Sequence, residues 1–484
     1  MVNAPTQAQP PLEFIEPDFA PWVLSGMRRL LPLWIRWRTP LVDIRGENLT
    51  QLATLYNQFA QGNTRFLIAF RHPAPEDAFC LARLLWHLLP RAAKQAGINL
   101  PQTHAHFIYD RGIPLWAGQQ IGWLYAKLGG TPIQRGKIDI AGLRSIRQLF
   151  ANGKFPMAAA PEGANNGHNE IVSPLEPGIA QMSFWCVEDL RKAQRTESVQ
   201  ILPLGIQYRY IRPPWDALEQ LLSQLERDSG MTTVDNNSTE APLTDLLPDL
   251  GIASERAASL YARLYRLGEN LLRLMEAYYR EFYQVEFPDA DKSNKPGDND
   301  LLGSIDPLAA NDRLAERLTI LLNAALQIAE SYFGLPPKGS VIDRCRRLEQ
   351  AGWDRIYRDD LRNQSDLSIL EKGLADRIAE ESDLRMWHMR LVESFVAVTG
   401  RYVMEKPTVE RFAETTLLLR DVMARIQGKP AFPRPQLGPQ RVELRVGLPI
   451  CVSDRWSDYK RSRRKAVASL TQDLQTALEG LIVT

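Results

Sequence analysis

The sequence predicts an α/β protein, a mixed sheet flanked by helices and interrupted by a large, mainly α-helical insertion. Three observations predict it. From about 41 to 210, short apolar runs alternate with stretches long enough for helices, the pattern of strands joined by crossovers. From about 211 to 440 the periodicity is almost wholly helical. After a proline-rich stretch, 430–439, one strand pattern and one helix pattern return. That is too little to fold alone, so 441–484 is expected to complete the first domain.

The chain of 484 residues is long enough for two or more domains and a sizeable core. Its 58 basic and 57 acidic residues nearly cancel, so net charge points to no nucleic-acid partner, and any charge asymmetry must be local. Four scattered cysteines, Cys80, Cys186, Cys345 and Cys451, have no metal-ligand spacing. With no signal-peptide core at the start, a reducing cytoplasmic setting is the expectation.

The first element, within 1–40, mixes Trp22, Trp34 and Trp37 with Arg28, Arg29, Arg36 and Arg38. This suits an interfacial amphipathic helix, with rings at headgroup depth and arginines on phosphates, and so peripheral membrane association. A surface helix packed on its own domain fits the same residues equally well. Pro32 is expected to kink or split it. No run reaches the roughly 18 apolar residues of a membrane span.

In the 41–210 region the strand patterns are 66–70, 104–109, 156–160 and 199–204. His104 and His106 would share one face of a strand, but nothing nearby completes a metal shell, so no metal site is expected. In the insertion, Leu260, Leu264, Leu267, Leu271, Leu274, Met275, Tyr278 and Phe282 recur at helical spacing over 255–283 and are expected to face a core. A second helix should start at Asp306-Pro307 and stop before Gly334 and Pro336-Pro337. Further helices are expected at about 365–404 and 408–427. Two polar stretches, near 228–250 and 288–304, read as mobile loops because they offer little to bury. The last strand, 442–446, precedes a terminal helix from about Ser457.

The candidate chemistry begins at Arg71-His72-Pro73-Ala74-Pro75-Glu76-Asp77, directly after the strand 66–70. On one regular helix His72 and Asp77 would point about 140° apart and could not touch. If the strand ends at Phe70, Pro75 stands near a helix start and Asp77 lies in its opening turn, the carboxylate can fold back on the imidazole. It would then fix the tautomer and raise the basicity, as a general base near neutral pH requires. The same residues also read as a turn histidine and a helix N-terminal acid, and taken alone they favour that reading.

Further motifs follow in order. Gly129-Gly130-Thr131-Pro132-Ile133-Gln134-Arg135 sets a glycine pair before an arginine, Pro161-Glu162-Gly163 closes the strand pattern 156–160, and Pro203 interrupts Ile201-Leu202-Pro203-Leu204. Together with His72 and Asp77, these resemble the four signatures of the glycerolipid acyltransferases of the lysophosphatidic acid acyltransferase (1-acylglycerol-3-phosphate acyltransferase) type. Residues 42–49 and 444–450 are similar to the strands that enter and leave such domains. The resemblance covers about 41–210 and 441–484 and says nothing of the insertion. It implies an acyltransferase-type sheet and transfer of a fatty acyl group from a thioester of coenzyme A or acyl carrier protein to a glycerolipid hydroxyl. The leading acceptor is 1-acyl-sn-glycerol-3-phosphate. His72 would be the base and Asp77 its orienting partner; Gly129, Gly130, Arg135, Glu162 and Gly163 would serve the acceptor, and Pro203 the acyl-donor side. No cofactor beyond the donor is implied.

The third signature departs from the family. Ala164-Asn165-Asn166 stand where threonine, arginine and serine are usual, so one basic phosphate ligand is missing. His168, Arg111, Lys137 or Arg144 are candidates to compensate. A catalytically silent relative that docks to a membrane or a protein, or a thioester hydrolase, are the alternatives.

Overall fold

The computed structural model describes residues 7–114, 118–134, 138–163, 165–231, 255–288, 307–362, 367–394 and 401–483. Arg135 and Lys137 lie outside them, as do most of the two stretches read as mobile loops. The chain forms two compact units. One is Leu12–Ile211 with Pro439–Thr484, the other Asn3–Pro11 with Arg212–Gly438.

The first unit opens with α1 (Pro21–Arg38), which carries Pro at its first position. It runs on through Pro32 as one helix and does not split there. An internal proline costs about 3 kcal/mol. Val23, Leu24, Leu31 and Ile35 are buried along the inner face, each worth about 1.5–3 kcal/mol, so packing outweighs the lost hydrogen bond. α1 thus packs on its own domain, while Trp22, Leu30, Leu33, Trp34 and Trp37 stay exposed on its other side.

The chain continues through β1 (Leu41–Glu47), α2 (Leu49–Ala60) and β2 (Thr64–Phe70). It then enters a long rod made of α3 (Asp77–Arg83), a π turn (Leu84–Leu88) and α4 (Leu89–Gln95). The π turn has a visible cause. The Thr103 hydroxyl occupies the Leu85 carbonyl, and the Leu89 N–H, its α-helical donor, reaches back to Leu84 instead, while Pro90 next along has no N–H to give. Next come β3 (His106–Asp110), α5 (Gln119–Lys127), β4 (Thr131–Ile133), α6 (Ile140–Asn152), β5 (Met157–Ala159), α7 (Gly178–Lys192) and β6 (Ser198–Tyr210).

The second unit holds α8 (Trp215–Asp228), α9 (Glu255–Tyr283), α10 (Pro307–Phe333), α11 (Val341–Ile356), α12 (Ile369–Glu393), α13 (Tyr402–Glu405) and α14 (Val409–Ile426). Capping boxes start α11 at Ser340 and Asp343 and α12 at Ser368 and Glu371. Residues 7–11 belong to this unit and not to the α1 segment. Gln9 donates to the Ile356 carbonyl and accepts from the Arg358 N–H.

The chain then returns to the first unit as β7 (Gln440–Val446), β8 (Ile450–Cys451), α15 (Trp456–Arg461) and α16 (Arg463–Glu479). The eight-stranded sheet has the order β1-β7-β6-β2-β5-β3-β4, with β8 also on β6. It is mixed and mostly parallel; β6 runs antiparallel to β7 and β8. Both faces are covered. Phe66 and Ile68 pack with α1, α2 and the π turn, whereas Leu67 and Ala69 pack with α6, α7 and α16. Burial on both sides explains why β2 reads as an unbroken apolar run.

Candidate active site

β2 sits between β5 and β6, where the chain changes sides of the sheet. In open α/β sheets, the crevice beyond the C-terminal ends of the strands at such a switch is where ligands bind. His72 follows β2 there, and Glu162 follows β5.

His72 leaves the strand in a turn, and Asp77 is the first residue of α3. Asp77 is fully buried, and its Oδ2 accepts from Nδ1 of His72 at 2.9 Å and from the Ala74 N–H at 2.9 Å. Its Oδ1 accepts from the Tyr208 hydroxyl on β6. With the carboxylate on Nδ1, the imidazole carries its proton on that nitrogen and its basic lone pair on Nε2. The His72 side chain is about 30% exposed against 0% for Asp77, so the pair has a wet side and a dry side.

The loop after β5 is tied to the same turn. Glu162, 5% exposed, accepts from the His72 N–H at 2.9 Å, the Ser173 N–H at 2.9 Å and the Asn166 side-chain amide at 2.7 Å. Burial pushes its carboxyl above the ordinary value, against the pull of Arg71 and the two backbone donors. Arg71, fully buried, donates to the carbonyls of His168, Asn169 and Ile171. Asn166 also donates to Ile171 O at 2.7 Å, and Asn169 accepts from the Tyr208 N–H at 2.7 Å. Arg71, Glu162, Asn166 and Asn169 therefore cross-link the loop 162–173 to the strand ends that present His72.

The residues singled out in the sequence divide accordingly. His72, Asp77, Glu162 and Gly163 are brought together; Gly163, at φ +72°, makes the turn that a side chain would strain. The Glu162 carboxylate is engaged by the His72 and Ser173 N–H groups and the Asn166 amide. Gly129 and Gly130 lie elsewhere. Strand register sets them level with His106 and Phe107 at the N-terminal end of the sheet, about 20 Å from His72. They allow close packing there, since an added Cβ would meet His106 Nδ1 at 2.7 Å or Phe107 at 2.6 Å.

Pro203 pairs with Ala69 inside the sheet. On its other side β7 ends opposite Leu204 and β8 begins opposite Ile201, so the missing N–H falls at the break between them. Of the basic candidates, Arg111 is paired with Asp139, His168 is buried, and Arg144 is exposed on α6. The imidazoles of His104 and His106 face the carbonyls of Leu128 and Gly129. Among the described residues no group of three or more His, Cys, Asp or Glu side chains is placed to hold a metal.

Tyr208, Arg71, Asn166 and Asn169 were not anticipated. Tyr208 lies 131 residues from Asp77, and only the pairing of β6 with β2 joins them. No model of a known protein family matches the chain, and no curated protein matches it either.

Proposed function

We propose that the chain is a peripheral membrane O-acyltransferase, moving a fatty acyl group from a coenzyme A or acyl carrier protein thioester to a glycerolipid hydroxyl. The single observation that carries this reading is the 2.9 Å contact between His72 Nδ1 and a fully buried Asp77, at the strand ends where a ligand would enter. A thioester is already activated, so the step needs little beyond a base and alignment. His72 Nε2 takes the acceptor hydroxyl proton as that oxygen attacks the acyl carbonyl carbon. The C–S bond then breaks, and the imidazolium returns the proton to the departing thiolate.

The resemblance to the lysophosphatidic acid acyltransferase type supports the substrate class, with 1-acyl-sn-glycerol-3-phosphate as the leading acceptor. The acyltransferase-type fold is part of the same proposal. The exposed tryptophans of α1 support action at a membrane surface, and among the described residues no helix is long and apolar enough to cross one.

One observation favours a second reading. Asn165 and Asn166 are occupied in bracing their own loop, and the usual third-signature arginine is absent, as in a silent relative that only docks. Incubating the purified protein with long-chain acyl-coenzyme A or acyl carrier protein thioester and a panel of lyso and neutral glycerolipids, followed by mass spectrometry, separates the readings. A new ester names the acceptor. Free fatty acid without ester indicates a hydrolase, and an unconsumed donor indicates a docking protein.

A further inference from the structure

α1 carries two different surfaces side by side. At about 100° per residue, Trp22, Leu33, Trp37 and Leu30 fall within an arc of about 80°. Arg29, Arg36, Ser25, Pro32 and Arg28 continue round the helix from that arc to the buried Ile35 and Leu31. The basic side borders a cleft of about 380 Å³ lined by Ser25, Arg28, Arg29, Pro32, His87 and Gln102.

His87 lies in the π turn, with Arg83 four residues before it and Arg91 four residues after, so two arginines flank the imidazole along the rod. With Arg28 and Arg29 close by, these cations repel one another unless something neutralises them. Among the described residues no acidic side chain pairs with Arg28, Arg29, Arg83 or Arg91, and His87 Nε2 is buried without a hydrogen-bond partner. Burial, then the charges of Arg83, Arg28 and Arg91, hold the His87 imidazole below its ordinary value, while the Arg28 carbonyl pulls the other way. Burial and Arg91 lower Arg83 likewise.

We propose that this cleft binds the phosphate of an anionic phospholipid, with Arg28 and Arg29 donating to the phosphate oxygens and the exposed Trp22, Leu33, Trp37 and Leu30 stripe seated in the lipid beside it. Guanidinium groups suit phosphate because they offer paired, charge-assisted donors. Gln102 adds a neutral donor. A lipid fits better than a free phosphate because the apolar stripe and the basic flank adjoin on one helix. The cleft is separate from the His72 site: His87 lies ten residues beyond Asp77, about 15 Å along the rod. The inference rests on the membrane-surface part of the proposed function and not on acyl transfer.

The test is flotation of the full-length protein with vesicles of phosphatidylcholine alone or of phosphatidylcholine containing phosphatidylglycerol. The wild type should prefer the anionic vesicles by about tenfold or more, given about 1 kcal/mol for each arginine near such a surface. The double variant Arg28→Gln/Arg29→Gln should lose about tenfold of that preference. Its binding to phosphatidylcholine alone should be unchanged. Arg36→Gln/Arg38→Gln removes the same charge from the same helix at side chains that do not line the cleft, and should lose less than the cleft variant. Equal losses in the two double variants would reveal diffuse attraction and overturn the site, as would wild-type binding by the cleft variant.

Trp34→Ala/Trp37→Ala should weaken binding to both vesicle types. If it does not, the membrane-surface reading fails on its own. If inorganic phosphate protects the wild type but not the cleft variant from heat, and the two vesicle types bind alike, the ligand is a free phosphate and the lipid assignment is wrong.

Discussion

Asp77 receives three hydrogen bonds on two buried oxygens, so its neighbours can be removed one at a time. Tyr208→Phe deletes the one side-chain donor that plays no part in proton transfer. Because the bond is made to a charged group, urea unfolding should show a loss of about 1.5–3 kcal/mol. An unchanged unfolding free energy would mean that the hydroxyl contributes nothing to holding the carboxylate.

His104 gives a pH prediction. Its Nδ1 accepts from Trp86 Nε1 at 3.1 Å and its Nε2 faces Leu128 O at 2.8 Å, a fully used neutral ring. Burial holds its pKa down to about 4, the Leu128 carbonyl opposing and His106 assisting. A depressed folded pKa contributes stability that is present above the unfolded value of about 6.5 and lost as pH falls through the folded one. The wild type should therefore lose about 3 kcal/mol between about pH 6.5 and 4 from this group. His104→Leu should flatten that part of the profile, and identical profiles would contradict the assignment. The pairing of His72 with Asp77 was within reach of the sequence because only four residues separate them. The Tyr208 contact was not, because it exists only once strands far apart in sequence have paired.

At the scale of elements, helices with long apolar repeats were readable and their phase was less so. The spacing over 255–283 gave α9, yet Leu274, Tyr278 and Phe282 are partly or largely exposed while Tyr279 is fully buried against His388. A tyrosine pair one residue apart leaves the phase open until a partner for the hydroxyl is known. α11 was missed because its core face is only Cys345, Leu348, Gly352 and Ile356, beside a buried arginine, Arg344, and its clearest mark is the capping box at Ser340. The short strands β4 and β8 offer three and two residues, too few for a period to show.

Gly268, near the middle of α9, tests how much that helix is held by propensity. A Cβ there meets nothing within 4 Å, and the backbone is helical. Gly268→Ala should raise the unfolding free energy by about 1 kcal/mol. A loss of stability would show that the space beside it is needed.

For the whole molecule, the α/β class was legible because strands buried on both faces leave continuous apolar runs and helical crossovers leave longer periodic ones. The local charge was hidden, since a net charge of +1 averages the unpaired arginines beside α1 with acidic residues elsewhere. The altered third signature was visible in Ala164-Asn165-Asn166. What the sequence did not disclose is that Asn166 and Arg71 together rebuild the loop that Glu162 clamps. The His72 turn is thus held in place by Arg71, Glu162 and Asn166, which supports the proposal of His72 as the base.

Release of free thiol from long-chain acyl-coenzyme A tests that claim most directly, measured with and without a glycerolipid acceptor, for the wild type and for His72→Ala. The account predicts acceptor-dependent release with matching ester formation, cut in the variant by about 10² to 10⁴, the usual cost of a lost general base. Equal rates in the two proteins, or release that ignores the acceptor, would contradict it.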